Sequence, residues 1–308
     1  GCAIECDKRY PQYSCRGQVE DSIRKKITKD IGALTIQKIG NTVSLSLDSI
    51  IVSAFLGLST VAIYGNYFYV ISAISTFVAL IYSAVIASIG NSIALESPEK
   101  NYLDLKKMAF LNTWLIGWCC ICFVCLFKDF MIVWMGERLL FADSIVLCLV
   151  LRFFFEQLRK IVLTYKDAAG MWWHDKWRPL VGCLVNLILN LLLVKTIGVA
   201  GVAISTVISY ALVEMPWETH VLFKYYFKKS EREYYREILI STITLLISGV
   251  ITYICCNNLP IDGVLAILIK LIMCVLLPNI IFVILNVKNE FYLESKNLLI
   301  KILKTMRH

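Results

Sequence analysis

The sequence predicts an all-α, polytopic membrane helix bundle of about eight transmembrane helices, and three observations predict it. Of its 308 residues 58% are hydrophobic and 18% charged, with a mean hydropathy of +0.69; an ordinary soluble domain is about 45–50% apolar. The apolar residues gather into runs near the ~20 residues needed to cross hydrocarbon. The Lys and Arg residues are shared unequally between alternate connecting segments: 23 fall on one side, and only Lys128, Arg138 and Lys195 on the other. The positive-inside rule then puts both ends of the chain in the cytoplasm of a multi-pass protein of the inner (plasma) membrane. The formal charge of +8 does not point to nucleic acid, because the basic residues sit in short loops between apolar runs.

Residues 1–29 form a basic leader. The chain opens at Gly1 with CAIECDKRYPQYSCRG, which reads as the middle of a longer protein. Cys2, Cys6 and Cys15 lie here, three thiols for which a zinc site is conceivable but weakly signalled. Apolar runs follow at 30–56, 61–95, 108–127, 144–169, 179–194, 199–223, 235–256 and 263–287. The second is long enough to tilt or to extend beyond the bilayer. The segment 128–141, KDFMIVWMGERLLF, is apolar but short and reads as an interfacial or re-entrant piece anchored by Trp134; Trp172, Trp173 and Trp177 take the same part on the cytoplasmic side.

In the first run Gln37, Asn41, Ser44 and Asp48 fall within about 60° of arc. Asp48, its only carboxylate past Asp30, is placed to titrate, to pair with a cation or to bind sodium. The fourth run, DSIVLCLVLRFFFEQLRKIVLTYKDAAG, carries Arg152, Glu156, Arg159 and Lys160. On a helix these lie at about 0°, +40°, −20° and +80°, on one face. Ionised groups cost roughly 2.5–3.5 kcal/mol in hydrocarbon on insertion scales, so the stripe faces the protein. It either lines a wet, ligand-binding cavity or forms an internal ion-pair cluster with Lys160 snorkelling to the surface. Asn186 and Asn190 in the fifth run, one turn and two beyond Gly182, suit helix–helix glue or the same cavity. In the sixth, Glu214 precedes Met215–Pro216–Trp217; Pro216 cannot donate to the carbonyl at 212, which bends the helix there. Lys270 stands without an acidic partner in the last run and is expected to snorkel outward.

Nine cysteines lie in or beside apolar runs, where thiols serve as small packing residues. CCICFVC has no His or carboxylate within reach, which argues against a metal there, and no cofactor is expected. His174–Asp175 has no nucleophile nearby in sequence, and no HExxH, phosphate-binding loop, GxSxG or DxD pattern occurs. An enzyme is therefore not expected.

Several blocks between Lys8 and Phe227 carry a resemblance: KRYPQYSCRG, LDSIIVSAFLGLSTVAIYGNYFYV, ASIGNSIALES, WMGERLLF, KDAAGMWWHDKWRPLV, NLILNLLLVKTIGVAGVAIST and MPWETHVLFKYYF. Together they resemble the polysaccharide-flippase branch of the multidrug/oligosaccharidyl-lipid/polysaccharide exporter superfamily, which includes lipopolysaccharide O-antigen flippases. The resemblance implies two six-helix lobes around a central cavity, often followed by two more helices. On that pattern residues 1–29 are a cytoplasmic inter-lobe linker, 30–224 the second six-helix lobe, 225–287 a cytoplasmic loop with the two additional helices, and 288–308 a basic cytoplasmic tail; the first lobe is missing. The implied function is to flip a polyprenyl-diphosphate-linked oligosaccharide from the inner to the outer leaflet for surface polysaccharide biosynthesis.

The candidate cavity residues are Arg152, Glu156, Arg159, Lys160, Asn41, Asn186 and Asn190, because guanidinium groups bind diphosphate through paired charge-assisted hydrogen bonds. Asp48 and Glu214 are the candidates for coupling to a proton or sodium. A multidrug or metabolite exporter of the same superfamily is the alternative. A membrane glycan polymerase or ligase, the alternative from another class, would need a larger outer loop than this sequence has.

Overall fold

The computed structural model describes residues 5, 8–11, 19–261 and 263–294. Cys2, Cys6 and Cys15, and residues 295–308 of the basic tail, lie outside the described residues. Helix α1 covers Asp21–Leu56, α2 Leu58–Leu95 and α3 Pro98–Met135. A 3-10 turn at Glu137–Leu139 leads to α4 (Asp143–Leu158) and α5 (Lys160–Ala168), which are separated only by Arg159. Next come α6 (Arg178–Ser209), a π-helical turn Tyr210–Glu214, α7 (Met215–Leu222) and a second π turn Phe223–Phe227. Helices α8 (Arg232–Asn257) and α9 (Gly263–Asn286) complete the described chain. Among the described residues six helical stretches are long and apolar enough to cross a membrane, and the protein is a multi-pass membrane protein.

One of the six stretches, Arg178–Phe227, spans 50 residues and folds back on itself. Gly198 has φ 59° and ψ −134°, a combination that the absence of a Cβ permits. The fold-back shows in the contacts it creates. Asn186 Nδ2 lies 3.0 Å from Thr206 Oγ1, and Ser209 Oγ donates to the Gly182 carbonyl at 2.8 Å; a straight helix would hold Asn186 and Thr206 about 30 Å apart. The runs predicted at 179–194 and 199–223 are thus the two arms of one hairpin, which packs on α1 and α4.

Helix α3 starts well. Ser97 caps it by accepting from Lys100 N at 3.3 Å, and Pro98 and Glu99 occupy its first turn. It then runs on to Met135, which corrects the re-entrant reading of 128–141. Lys128–Met135 simply extends the helix, and Gly136 ends it. The reason is continuity of backbone hydrogen bonding, with no Pro or Gly between Cys119 and Met135 to interrupt it.

Large buried side chains from α2 to α5, α7 and the second π turn, including Tyr64, Tyr67, Phe153, Tyr165 and Phe223, make the main core. A second cluster of Phe110, Ile121, Leu245 and Phe282 holds α8 and α9 against α3. Lys106 Nζ and Tyr102 OH add hydrogen bonds to Glu233 at 2.7 Å each. Lys270 does not snorkel unaccompanied: its Nζ reaches Asp129 Oδ2 of α3 at 2.5 Å. The partner went unseen because it lies 141 residues away.

Two prolines reshape their helices. Pro216 sits in the first turn of α7, directly after the π turn; without an amide proton it cannot extend the preceding ladder, and the wider turn absorbs the mismatch. In α9, Pro278 leaves the Cys274 carbonyl without its helical donor. The Trp118 indole of α3 supplies one, Nε1 to O 2.8 Å. Trp118→Phe keeps most of the ring but orphans this carbonyl, and is expected to destabilise the α3–α9 contact by about 1–3 kcal/mol. Thermal melting of the detergent-purified protein checks this; an unchanged melting temperature would show that the carbonyl finds another donor.

Candidate functional site

The charged stripe of α4 and α5 organises two buried networks. In the first, Arg152 Nη1 lies 2.8 Å from Asp48 Oδ2 of α1 and 2.5 Å from the Tyr64 hydroxyl of α2. Its guanidinium carbon sits 5.1 Å from the centre of the Phe68 ring, a favourable cation–π placement. Asp48 accepts from Asn190 Nδ2 at 3.0 Å and from Thr206 Oγ1 at 3.1 Å. Asn190 also donates to Asn186 Oδ1, and Asn186 to Thr206 Oγ1, each at 3.0 Å. One carboxylate thereby ties α1 to both arms of the hairpin and to α4.

The second network lies about two turns along the stripe. Arg159 contacts Glu214 and donates to Glu218 at 2.5 Å (Nη2 to Oε1) and 3.2 Å (Nε to Oε2). Arg178 Nη1 reaches Glu214 Oε2 at 2.6 Å and Glu218 Oε1 at 2.7 Å, while its Nε donates to Asp175 Oδ2 at 3.1 Å. Lys166 pairs with Asp175, whose other oxygen accepts from Gln37 Nε2 at 2.8 Å. Three cations (Arg159, Lys166, Arg178) thus meet three carboxylates (Asp175, Glu214, Glu218), every one buried. Burying six charges is tolerable because each has opposite partners and hydrogen bonds. Gly182 makes room: a Cβ there would lie 2.7 Å from Glu214 Oε1.

A cavity of about 20 Å³ lies between the networks, lined by Ser44, Asp48, Arg152, Asn186, Thr206, Ser209, Tyr210 and Glu214. That is close to the minimum needed for one water. Arg152 Nε and Asn190 Oδ1 are buried without a protein partner.

This corrects the expectation of an open cationic cavity along Arg152 and Arg159. Both guanidinium groups are enclosed and occupied by carboxylates from α1, the second hairpin arm and α7. Glu156 and Lys160 are half-buried and 3.9 Å apart, one turn from each other. Asn186 and Asn190 join the Asp48 network, whereas Asn41 does not: it is exposed. Asp48 and Glu214 lie in the networks as ion-paired groups.

Lys166, Asp175, Arg178 and Glu218 are members that sequence reasoning passed over. The spacing of Glu214 and Glu218, four residues apart, was a readable sign that both share a face. The role of Asp175 was not readable, because it depends on a loop folding back under α1.

A different face of α1 stays open. Lys38, Asn41, Thr42, Ser46 and Ser49 are all exposed. Relative to Lys38 they lie at about −60° to +80°. Asp48 and Gln37 flank this arc on the inner side, and exposed Ile39, Val43 and Ile50 on the other. Comparison of the chain with family models, with curated proteins and with solved structures returned no match.

Proposed function

We propose that this chain is a helical lobe of a transporter in the inner (plasma) membrane, with both chain ends cytoplasmic. Together with a second lobe of the same protein, it moves a polyprenyl-diphosphate-linked oligosaccharide from the inner to the outer leaflet by alternating access. The observation that carries this reading is the open polar face of α1. A helix long and apolar enough to span a membrane here exposes a lysine, an asparagine and three hydroxyls along one side. Groups of that kind are costly against acyl chains and mark water-filled paths or protein contacts. The chemistry fits the cargo: the ammonium of Lys38 binds phosphate as a point charge, and amide and hydroxyl groups match sugar hydroxyls.

In this reading Arg152 and Arg159 do not hold the diphosphate. They anchor the carboxylates behind the vestibule wall. A proton or sodium ion competing with Arg152 for Asp48, or with Arg159 and Arg178 for Glu214, would loosen α1 or α7 and so couple ion movement to opening. The chain acts as a carrier, not an enzyme.

Lys38 supplies the test. In cells lacking their own copy of the gene, Lys38→Glu places a negative charge against the diphosphate. It is expected to reduce glycan delivery to the surface at least about tenfold, a cost of about 1.4 kcal/mol or more, while Lys38→Arg retains it. Normal surface glycan from Lys38→Glu at equal protein abundance would overturn the reading.

A further inference from the structure

Three thiols that are far apart in sequence meet where α3, α8 and α9 pack together. Cys125 of α3, Cys256 of α8 and Cys274 of α9 are all buried, and their sulfur atoms lie within 4.8 Å of one another. Cys122, one turn before Cys125, lies beside Cys274. We propose that Cys125, Cys256 and Cys274 form a binding site for a single thiophilic d10 cation, of the copper(I) or zinc(II) class.

The geometry is close to that of a loaded site. With metal–sulfur bonds of about 2.3 Å, three ligand sulfurs stand about 3.8–4.0 Å apart. Closing from the present arrangement takes less than about 1 Å of movement per sulfur. The chemistry selects the class: an all-sulfur set in apolar surroundings offers nothing to hard, oxygen-seeking cations and favours soft ones. Three-coordinate binding by these sulfurs alone suits copper(I). Zinc(II) prefers four ligands; Cys122 lies beside Cys274 but outside the converging three, and would have to swing in as the fourth.

Charge is provided for as well. Metal binding replaces the thiol protons, which leave to solvent, and no change of oxidation state is involved. The resulting thiolate set carries net negative charge in a low-dielectric setting. One helical turn away stands the Lys270–Asp129 pair, with Asp129 four residues after Cys125 and Lys270 four before Cys274. Lys270 is therefore placed to compensate the loaded site. Cysteines serving only as packing would need neither convergence from three helices nor a cation one turn away.

The test uses the purified full chain in detergent, reduced and anaerobic, treated with a chelator and then offered copper(I) or zinc(II) alone. The expected result is about one ion retained per chain, falling below about 0.1 in each of Cys125→Ser, Cys256→Ser and Cys274→Ser. Cys148→Ser and Cys183→Ser, which lie elsewhere, retain it. Loss of binding in Cys122→Ser for zinc but not copper assigns the fourth ligand and supports the site. Three outcomes overturn the proposal. They are no retained ion in a protein that elutes as a folded monodisperse species, retention unchanged when all three cysteines are serine, and a disulfide joining two of them in the protein isolated from cells.

Discussion

Arg178→Met is expected to destabilise the protein by about 3–5 kcal/mol, because it removes one of three buried cations that meet three buried carboxylates. Arg178 touches Asp175, Glu214 and Glu218 at once. Without it, three carboxylates share Arg159 and Lys166 in a region with almost no solvent. For a chain of this size the loss corresponds to a fall in melting temperature on the order of 10 °C, measurable by thermal scanning or by monodispersity after heating. The electrostatic account makes a sharper claim about the double variant. Arg178→Met with Glu218→Gln leaves two cations facing two carboxylates, and is expected to recover at least about half of the loss. If the double variant is less stable than the single one, charge balance is not what holds the network, and shape complementarity is.

The second expected result separates stability from transport. Asp48→Asn keeps a side chain of the same size, and its amide oxygen can still accept from Asn190. It leaves Arg152 buried, with only the Tyr64 hydroxyl and the Phe68 ring opposite. A loss of about 3–5 kcal/mol is expected. Adding Arg152→Met removes the orphaned cation, and is expected to restore the melting temperature to within about 1 kcal/mol of the parent. On the transport reading proposed above, surface glycan is in contrast expected to stay below about a tenth of normal in the stable double variant, a deficit of at least about 1.4 kcal/mol in the limiting step. The reason is that the exchangeable partner of α1 is gone. Recovery of both stability and surface glycan would make the Asp48–Arg152 pair a structural brace only, and would remove Asp48 from the proposed ion coupling.

The two results bear on one architectural point. Helix α1 carries Asp48 and Gln37 on its protein side and an open hydroxyl-rich arc beside them. Whatever changes the hold on Asp48 or Asp175 therefore changes the wall that the open arc presents. The π turn before Pro216 lies where a change at Glu214 would be felt, because wide turns give a helix a place to rewind.

Much of this was written into the sequence. Hydrophobic length set the helical runs, and their bounds lie within a few residues of several helices, as at Leu56, Leu95 and Gly263. The 100° spacing of Arg152 and Arg159 placed both on the protein side of α4, where they are buried. Pro216 announced the irregular turn at 210–214. These are local properties: one helix face, one missing amide proton, one run of apolar side chains.

The tertiary structure alone decided what the buried charges meet. Asp48 and Arg152, or Arg159 and Glu218, are brought together by helices that could have packed in several orders, and periodicity reports which face is inward but not which neighbour it finds. For the same reason a stripe of four ionisable groups read as a wet cavity ahead of an ion-pair cluster. Only the arrival of carboxylates from α1, the 171–177 loop and the second hairpin arm filled the space. The three converging thiols of α3, α8 and α9 belong to this second kind of information: each looked like packing by itself, and their chemistry exists only where the helices cross.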